Sequence, residues 1–371
     1  MTTSSKQPDR FEARPLHERA WWAVLALYLA TAAVITGHQL LGRPSNNFLI
    51  FRTATASLFA RQDLYAPHPA QHYDLYKYSP TFALFFLPFA ALPYGVALAL
   101  WNLLNTVALC AAFRRLLPAR DAAIVLALAA PAFAVATEGA QSNALVAAMI
   151  VAAFLAWERD RPLAATTAIV VGASIKLFPV SAFTFAIFRR RRWPAVALAV
   201  ILGAAAVLLP LLVLSPYALR LEYASWHRVE QVDALDRGSS VMQLVHGILG
   251  VDIPNLPFQL AGTALVLLPL WVRRDRWEEP VFRLLLLASI LVYAVIFNHQ
   301  AERASFVIAA VGTGLWYVVS RRPHSRWRAF LAIAAAMGMH SALCFPAWVA
   351  IQWDLYSGPS STAQAPRSSP D

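Results

Sequence analysis

Long runs of apolar residues, separated by short polar stretches, dominate the chain. The runs at 21–41, 144–157 and 195–214 carry no charged side chain. The longer runs match the ~20 residues that an α-helix needs to cross the hydrocarbon core of a bilayer. This pattern predicts membrane-spanning helices at 21–41, 95–113, 122–136, 142–157, 194–214, 258–272, 282–297, 303–319 and 329–350. The sequence therefore predicts an all-α fold, a polytopic integral membrane helix bundle.

The same pattern divides the chain into three parts. Residues 1–20 are polar and are predicted to form a cytoplasmic N-terminal segment, followed by a retained signal-anchor helix. Residues 21–352 are predicted to form the transmembrane domain, with external loops at 42–94 and 215–257. The tail at 353–371 is rich in Ser, Pro, Thr and Ala, a composition typical of disorder.

The stretch 163–188 is apolar but is interrupted by Lys176 and Pro179. If it crossed the membrane once, the arginines at 189–192 would lie outside, against the tendency of basic residues to stay in the cytoplasm. A broken helical hairpin, with both ends cytoplasmic, keeps every strong basic cluster inside. We therefore predict a hairpin with Lys176 at its outer turn, where irregular backbone can face a water-filled cavity.

The first external loop contains two local signals. Apolar residues recur with helical spacing in 46–65, which predicts an amphipathic helix on the membrane surface, capped by Asn46 or Asn47. Residues 72–80 (HYDLYKYSP) combine aromatic rings with an acid and a lysine, as in an interfacial aromatic belt or a sugar-binding surface; both interpretations remain open. Further on, Pro88 and Pro93 should separate a short helix from the next span.

Composition and charge narrow the class of protein. The chain is 59% hydrophobic, with a mean hydropathy of +0.53 and a net charge of +11. Its basic residues form short clusters between apolar runs, which excludes nucleic-acid binding and indicates cytoplasmic anchors in a bacterial-type inner membrane. We expect Cys110 near the inner end of its span and Cys344 near the outer end, unable to form a disulfide.

Candidate chemistry gathers on the predicted external side. Glu138, Lys176 and Glu302 border apolar helices, where an ionisable residue suggests function or a paired partner. Asp233 and Asp236 are interpreted as acids that hydrate a loop. Residues 137–143 precede a helix, so they could bind an anion at its N-terminus or simply provide Ser142 as a cap. His299 and Glu302 are too few ligands to predict a metal site.

These segments together resemble glycosyltransferase family 87, which is related to mannosyltransferases that use polyprenol-phosphate mannose. The resemblance rests on an ordered series over residues 46–320: NFLIFRTATASLFARQDLY, KYSPTFALFFLPFAALP, WNLLN, GAQSNALVAAMIVAAFLAWERDRP and GASIKLFP before RRRRW, with NHxAE near the end. It implies the GT-C architecture, a sugar donor linked to a lipid phosphate, an external active site and no cofactor. It also implies an envelope glycan or glycolipid as acceptor of mannose or another hexose or pentose.

In the family's mannosyltransferases, an acid in the first external loop acts as the base. The matching position in this chain is Asn47, whose amide cannot take a proton from a hydroxyl. We therefore predict Asp74 as the catalytic base and Glu138 as the second choice, with Glu302 also a candidate. The predicted substrate-binding residues are Asn47, Arg52, Tyr73, Tyr76, Lys77, Tyr78, Gln141, Asn143, Lys176, His299 and Glu302.

These expectations place Asn47, residues 72–78, Glu138 and Lys176 around one external cavity. Lys176, Arg52 and the turn at 138–143 are expected to hold the lipid phosphate. The alternative, favoured by Asn47, is a non-catalytic lipid-binding or glycan-binding protein, or a transporter, of the same fold.

Overall fold

A computed structural model describes residues 13–42, 44–189, 192–251, 254–320 and 325–357. In these ranges the chain forms α-helices and short 3-10 helices, with no β-strand, so the predicted all-α membrane bundle is confirmed. The long or apolar helices of the bundle are α1 (Ala13–Leu41), α5 (Tyr94–Leu116), α6 (Ala119–Glu138), α7 (Asn143–Glu158), α8 (Pro162–Ile175), α9 (Arg192–Leu208), α12 (Asn255–Val272), α13 (Pro280–Ile296), α14 (Phe306–Val319), α15 (Arg326–Gly338) and α16 (Ser341–Ser357). The helices of the long connections are α2 (Asn46–Ala60), α3 (Pro80–Phe85), α4 (Leu87–Ala90), α10 (Pro216–Asp233) and α11 (Val241–Leu249).

Length and composition identify the membrane-facing part. Five segments of the described chain are long and apolar enough to cross a bilayer: Leu16–Leu41, Tyr94–Leu116, Ala119–Glu138, Trp193–Leu212 and Asn255–Val272. On α9 the exposed side chains include Val196, Val200 and Val207, which recur at helical spacing. An exposed apolar face on a helix of this length is what contact with lipid tails requires.

The two ends of the bundle differ in chemistry. One end, called here the arginine end, contains Glu158 together with Arg189 and Arg283, which both pair with it. The opposite end, called the loop end, contains the long connections with α2–α4, α10 and α11. Arg321 and Arg322 form one of the short basic clusters between apolar runs, and they lie outside the described residues.

The predicted break at Lys176 is confirmed, and the cytoplasmic location of both ends stays a prediction. Helix α8 runs to the loop end and stops before Lys176, whose backbone is extended, and a 3-10 helix (Phe178–Phe188) follows. Arg189 then pairs with Glu158, the last residue of α7, so the stretch returns to the end from which it started. The two arms pack tightly because Gly172 has no Cβ: a Cβ there would lie 2.7 Å from Cγ of Pro179.

The predicted span 329–350 is wrong. It is two helices, α15 and α16, separated at Met339, whose backbone is left-handed with φ of 43°. Ser341 donates to the carbonyl of Ser239 at the loop end, whereas the carbonyl of Tyr356 accepts from Arg273 at the arginine end. The two helices therefore form a hairpin that returns the chain to the arginine end, and the helix extends into the predicted disordered tail as far as residue 357.

Both cysteines are buried and free. Cys110 lies in the last two turns of α5, towards Arg114 and the arginine end, while Cys344 lies in the first turn of α16 at the loop end. Their predicted separation is confirmed.

Helix α2 packs into the protein. Its Phe48 and Phe51 contact Phe86 at ring-centroid distances of 5.4 and 5.3 Å, and Phe51 also contacts Trp101 of α5 at 5.9 Å. The N-cap position of α2 is Ser45, which makes no side-chain hydrogen bond to the helix, so the cap predicted at Asn46 or Asn47 is wrong. As the prolines predict, α3, α4 and α5 are separate helices, and this aromatic cluster fixes their positions under the loop end.

Candidate functional site

A cavity of about 500 Å³ opens at the loop end. Four parts of the chain form its wall: the start of α2 with the loop 74–78, the turn before α7, the break of the hairpin, and α10 with the connection between α13 and α14. Of the residues predicted from the sequence, those that line it are Asn47, Asp74, Lys77, Tyr78, Gln141, Lys176, His299 and Glu302. The structure therefore brings together residues that are up to 255 positions apart in the chain, from 47 to 302.

Lys176 is held at the hairpin break by an uncharged partner. Its ammonium donates to the amide oxygen of Asn143, the first residue of α7, at 2.9 Å, and it lies 5.8 Å from the ring centre of Tyr78. Burial lowers the pKa of Lys176, whereas the negative charge of Glu302 opposes this shift. This corner of the cavity joins a cation to a helix N-terminus, the combination that binds anions.

Asn143 and Ser142 show whether the turn before α7 is an ordinary helix cap. Its side chain is completely buried, and its amide nitrogen has no hydrogen-bond partner among the described residues. Ser142 makes no side-chain cap to the helix, so the interpretation of this turn as ordinary capping is wrong.

A chain of hydrogen bonds crosses the floor of the cavity. The hydroxyl of Tyr78 donates to the amide oxygen of Gln141 at 3.3 Å, and the amide nitrogen of Gln141 donates to Glu302 at 3.2 Å. Gln141 thus connects the loop 72–80 to the connection after α13. Because Tyr78 donates to its amide oxygen and Glu302 accepts from its amide nitrogen, the orientation of the amide is fixed. Burial raises the pKa of Tyr78, so its hydroxyl keeps its proton and acts as the donor.

Lys77 connects two walls. Its ammonium lies 3.6 Å from Asp74 and 3.1 Å from Asp233, the last residue of α10. Asp233 also accepts from Gln300 at 3.1 Å. Interpreting Asp233 as an acid that only hydrates a loop is therefore wrong, because it ties three segments together at the cavity.

Helix α10 contributes a wall that sequence reasoning missed. Its residues Tyr223, Trp226, Glu230 and Asp233 line the cavity, and Trp226 donates to Glu230 at 3.1 Å. These residues are spaced by three or four positions, which places them on one helix face. That spacing of aromatic and acidic residues was the available signal. Asp236, also interpreted as hydrating a loop, lines the cavity as well.

Other predicted residues lie elsewhere. Glu138 has an exposed side chain and does not line the cavity, although its backbone carbonyl accepts from Gln39. Arg52 donates to the carbonyls of Phe89 and Leu92, an arrangement that supports the end of α4. Tyr73 is 89% exposed, and Tyr76 is buried with its hydroxyl donating to the Ser79 carbonyl.

Asn47 lines the cavity but is held by the backbone. Its amide nitrogen donates to the carbonyl of Gly139 at 2.9 Å. This contact joins the start of α2 to the turn before α7. The amide oxygen of Asn47 remains available to a ligand hydroxyl, from which it can only accept a hydrogen bond.

Among the described residues, no group of three or more His, Cys, Asp or Glu side chains could hold a metal ion. Nδ1 of His299 lies 3.1 Å from the Gln259 amide nitrogen, while its buried Nε2 has no partner in the described chain. Burial lowers the pKa of His299, which favours the neutral imidazole.

Comparison with known proteins identifies the family. A family model for glycosyltransferase family 87 matches residues 76–298, which is more than half of the chain. The match contains Lys77, Gln141, Lys176 and α10, whereas Asp74 and Glu302 lie just outside its two limits. No curated protein matches the chain. The membrane bundle, the polar cavity and the extent of this match agree, and the chain belongs to glycosyltransferase family 87, a family of sugar-transferring enzymes.

Proposed function

We propose that this protein transfers a sugar from a polyprenyl-phosphate donor to a hydroxyl of an envelope glycan or glycolipid, with inversion at the anomeric carbon. The reaction takes place in the cavity at the loop end, which faces the outside of a bacterial-type inner membrane. The observation that carries the proposal is the meeting of an anion-binding corner and several carboxylates in one cavity of a family 87 protein.

The donor phosphate binds at Lys176. The ammonium and the N-terminus of α7 offer positive charge there, and the partner of Lys176 is an amide that a phosphate oxygen can displace. Next to this corner, Leu177 lines the cavity and is also 68% exposed on the outer surface. Leu177 and the neighbouring Phe178 therefore offer an apolar path for the isoprenoid chain from the bilayer.

A carboxylate of the cavity acts as the base. It takes the proton of the acceptor hydroxyl while the acceptor oxygen bonds to the anomeric carbon and the bond from that carbon to the phosphate oxygen breaks. Asp74 is our first choice because it lines the cavity among aromatic rings, and its carboxylate lies 3.6 Å from the ammonium of Lys77. Glu302, oriented by Gln141, is second. The exposed position of Glu138 removes it from this role.

Amide substitutions test these roles. Membranes containing Asp74→Asn, Glu302→Gln or Glu138→Gln are supplied with a polyprenyl-phosphate sugar, and transfer to endogenous acceptor is measured. Loss of the base should lower the rate roughly 100-fold or more, whereas Glu138→Gln, the matched control, should retain it. If Asp74→Asn and Glu302→Gln both transfer at the native rate, the assignment of the base is wrong.

Asn47 favours a second function, namely binding or transport of a lipid-linked sugar without transfer. Its amide occupies the position of the family's expected acid and is engaged by the Gly139 carbonyl. Saturable binding of polyprenyl-phosphate sugars, with no transfer from any of them by the native protein, would establish this alternative.

A further inference from the structure

The charges around the cavity are unbalanced. Its described lining contains two lysines, Lys77 and Lys176, and five carboxylates: Asp74, Glu230, Asp233, Asp236 and Glu302. Even when the two histidines of the lining, His227 and His299, are counted as positive, four cations face five carboxylates. The lining therefore carries a net negative charge.

The two lysines differ in how much of their charge is available. Lys77 lies between Asp74 and Asp233, so its charge is used within the wall. Lys176 pairs with the neutral amide of Asn143 at the hairpin break. Positive charge that a ligand can use is thus concentrated in the corner of Lys176, next to the apolar path of the donor.

The side of the cavity formed by α10 and the loop after it is acidic. Glu230, Asp233 and Asp236 follow one another along the end of α10 and the loop after it, and all three line the cavity. Neutral donors bind two of the three: Trp226 and Gln300 bind Glu230, and backbone N–H groups of residues 237 and 238 bind Asp236, whereas Asp233 shares the Lys77 ammonium with Asp74. Neutral donors orient Glu230 and Asp236 without supplying a positive charge, and the single ammonium of Lys77 is divided between Asp74 and Asp233.

We infer that the acceptor residue that enters this cavity is a neutral sugar or an amino sugar, and that the acidic side formed by Glu230, Asp233 and Asp236 excludes acceptors carrying a carboxylate or phosphate on that residue. The inference rests on the proposed function, because it assigns the Lys176 corner to the donor. Sugar hydroxyls and ammonium groups donate hydrogen bonds to carboxylates, whereas a like charge brought against them is repelled.

Three probes with the same ring and alkyl chain test the inference: octyl glucoside, octyl glucuronide and octyl glucosaminide. Each is added, below its micelle concentration, to membranes that transfer sugar from a polyprenyl-phosphate donor to endogenous acceptor, and inhibition is measured at low salt. We expect the glucuronide to inhibit at least about tenfold more weakly than the glucoside, and the glucosaminide to inhibit at least as well as the glucoside.

Variants that remove carboxylates test whether the charge of the cavity, rather than that of the remaining surface, causes the difference between the probes. The double variant Asp233→Asn/Asp236→Asn should shrink the difference between glucoside and glucuronide to less than about threefold, because the repelling charge is removed. The matched control, Glu18→Gln/Glu138→Gln, removes two exposed acids outside the cavity and should keep the full difference.

Equal inhibition by the glucoside and the glucuronide would overturn the inference while transfer to endogenous acceptor still supports the proposed function. A difference that persists unchanged in Asp233→Asn/Asp236→Asn would also overturn it, because the acidic side would not be its cause. If native membranes transfer no sugar, the proposed function fails, and equilibrium dialysis of the three glycosides against the purified protein measures the charge preference independently.

Discussion

The ammonium of Lys176 donates a 2.9 Å hydrogen bond to the amide oxygen of Asn143. This bond joins the break of the hairpin to the first residue of α7. An amide oxygen holds the lysine in position without neutralising it.

Replacing Lys176 by glutamine should lower kcat/KM for the polyprenyl-phosphate donor roughly 100-fold, because the phosphate loses a positive charge as it leaves. The measurement is transfer by purified protein at several donor concentrations. Arg115→Gln, an exposed charge at the arginine end, serves as the matched control and should transfer normally. Native kcat/KM in Lys176→Gln, with the protein monodisperse, would remove the lysine from phosphate binding.

Glu158 should stabilise the hairpin from the arginine end. It pairs with Arg189 and, through both carboxylate oxygens, with Arg283, and the three side chains are 13–24% exposed. We expect Glu158→Gln to lower the free energy of unfolding by about 2 kcal/mol, since two arginines lose their counter-charge in a partly buried site. Unfolding in mixed detergent micelles measures it.

The control for Glu158 is Glu18→Gln. Glu18 pairs with Arg114 at the same end of the bundle, but the two side chains are 50% and 38% exposed. A pair so open to solvent contributes little, so this variant should change the free energy of unfolding by less than about 0.5 kcal/mol. Equal losses in both variants would show that burial does not distinguish the two pairs.

Glu222 should make stability depend on pH. Burial raises its pKa from 4.5 to about 7, and it accepts from the backbone N–H of Leu64. Between these values the folded protein keeps a proton that the unfolded chain releases, so stability falls as pH rises from about 4.5 to about 7 and stays lower above. In Glu222→Gln, which keeps an acceptor for Leu64, the melting temperature should fall less between pH 5 and pH 8 than in the native protein. An identical fall in both would contradict this assignment.

The orientation in the membrane can be measured with two single-cysteine variants, made after Cys110 and Cys344 are replaced by alanine. Tyr73→Cys lies at the loop end, and Arg159→Cys lies at the arginine end; both positions are exposed. A membrane-impermeant maleimide added to intact cells should label Tyr73→Cys but not Arg159→Cys until the cells are lysed. The reverse pattern would invert the proposed topology.

The hairpin that begins with α8 could be predicted because two independent features argue against a single crossing: the position of the arginines and the length of the apolar arms. The arms on either side of Lys176 are too short to cross a bilayer, and Arg189 follows them directly. The hairpin of α15 and α16 could not be predicted in that way. The run 329–350 contains no charged residue, and its length suits a single crossing. The relevant signal was local: Gly338 precedes the left-handed Met339 at the turn.

The sequence identified the cavity residues that lie beside apolar helices. It did not identify the cavity residues that belong to α10. Lys176 and Gln141 border apolar helices, where a polar side chain is unusual. Asp233 lies in a hydrophilic helix, where an acid is ordinary, and only its pairing with Lys77, 156 positions earlier in the chain, gives it a role. Such a contact depends on packing between distant segments, which periodicity does not encode. Glu138 is the converse case: it lies at the end of α6 beside an apolar helix, but its side chain is exposed and does not line the cavity.

The reversal of the chain at Lys176 has a consequence for the order in which the protein is made. Neither arm of the hairpin is long enough to be released alone into the bilayer, so residues 162–188 leave the insertion machinery together, as a pair of arms. Because α7 precedes the hairpin in the chain, Asn143 is synthesised 33 residues before the lysine that it binds. Each ribosome therefore supplies the acceptor before the cation, and the partner of the lysine already exists when the lysine is made.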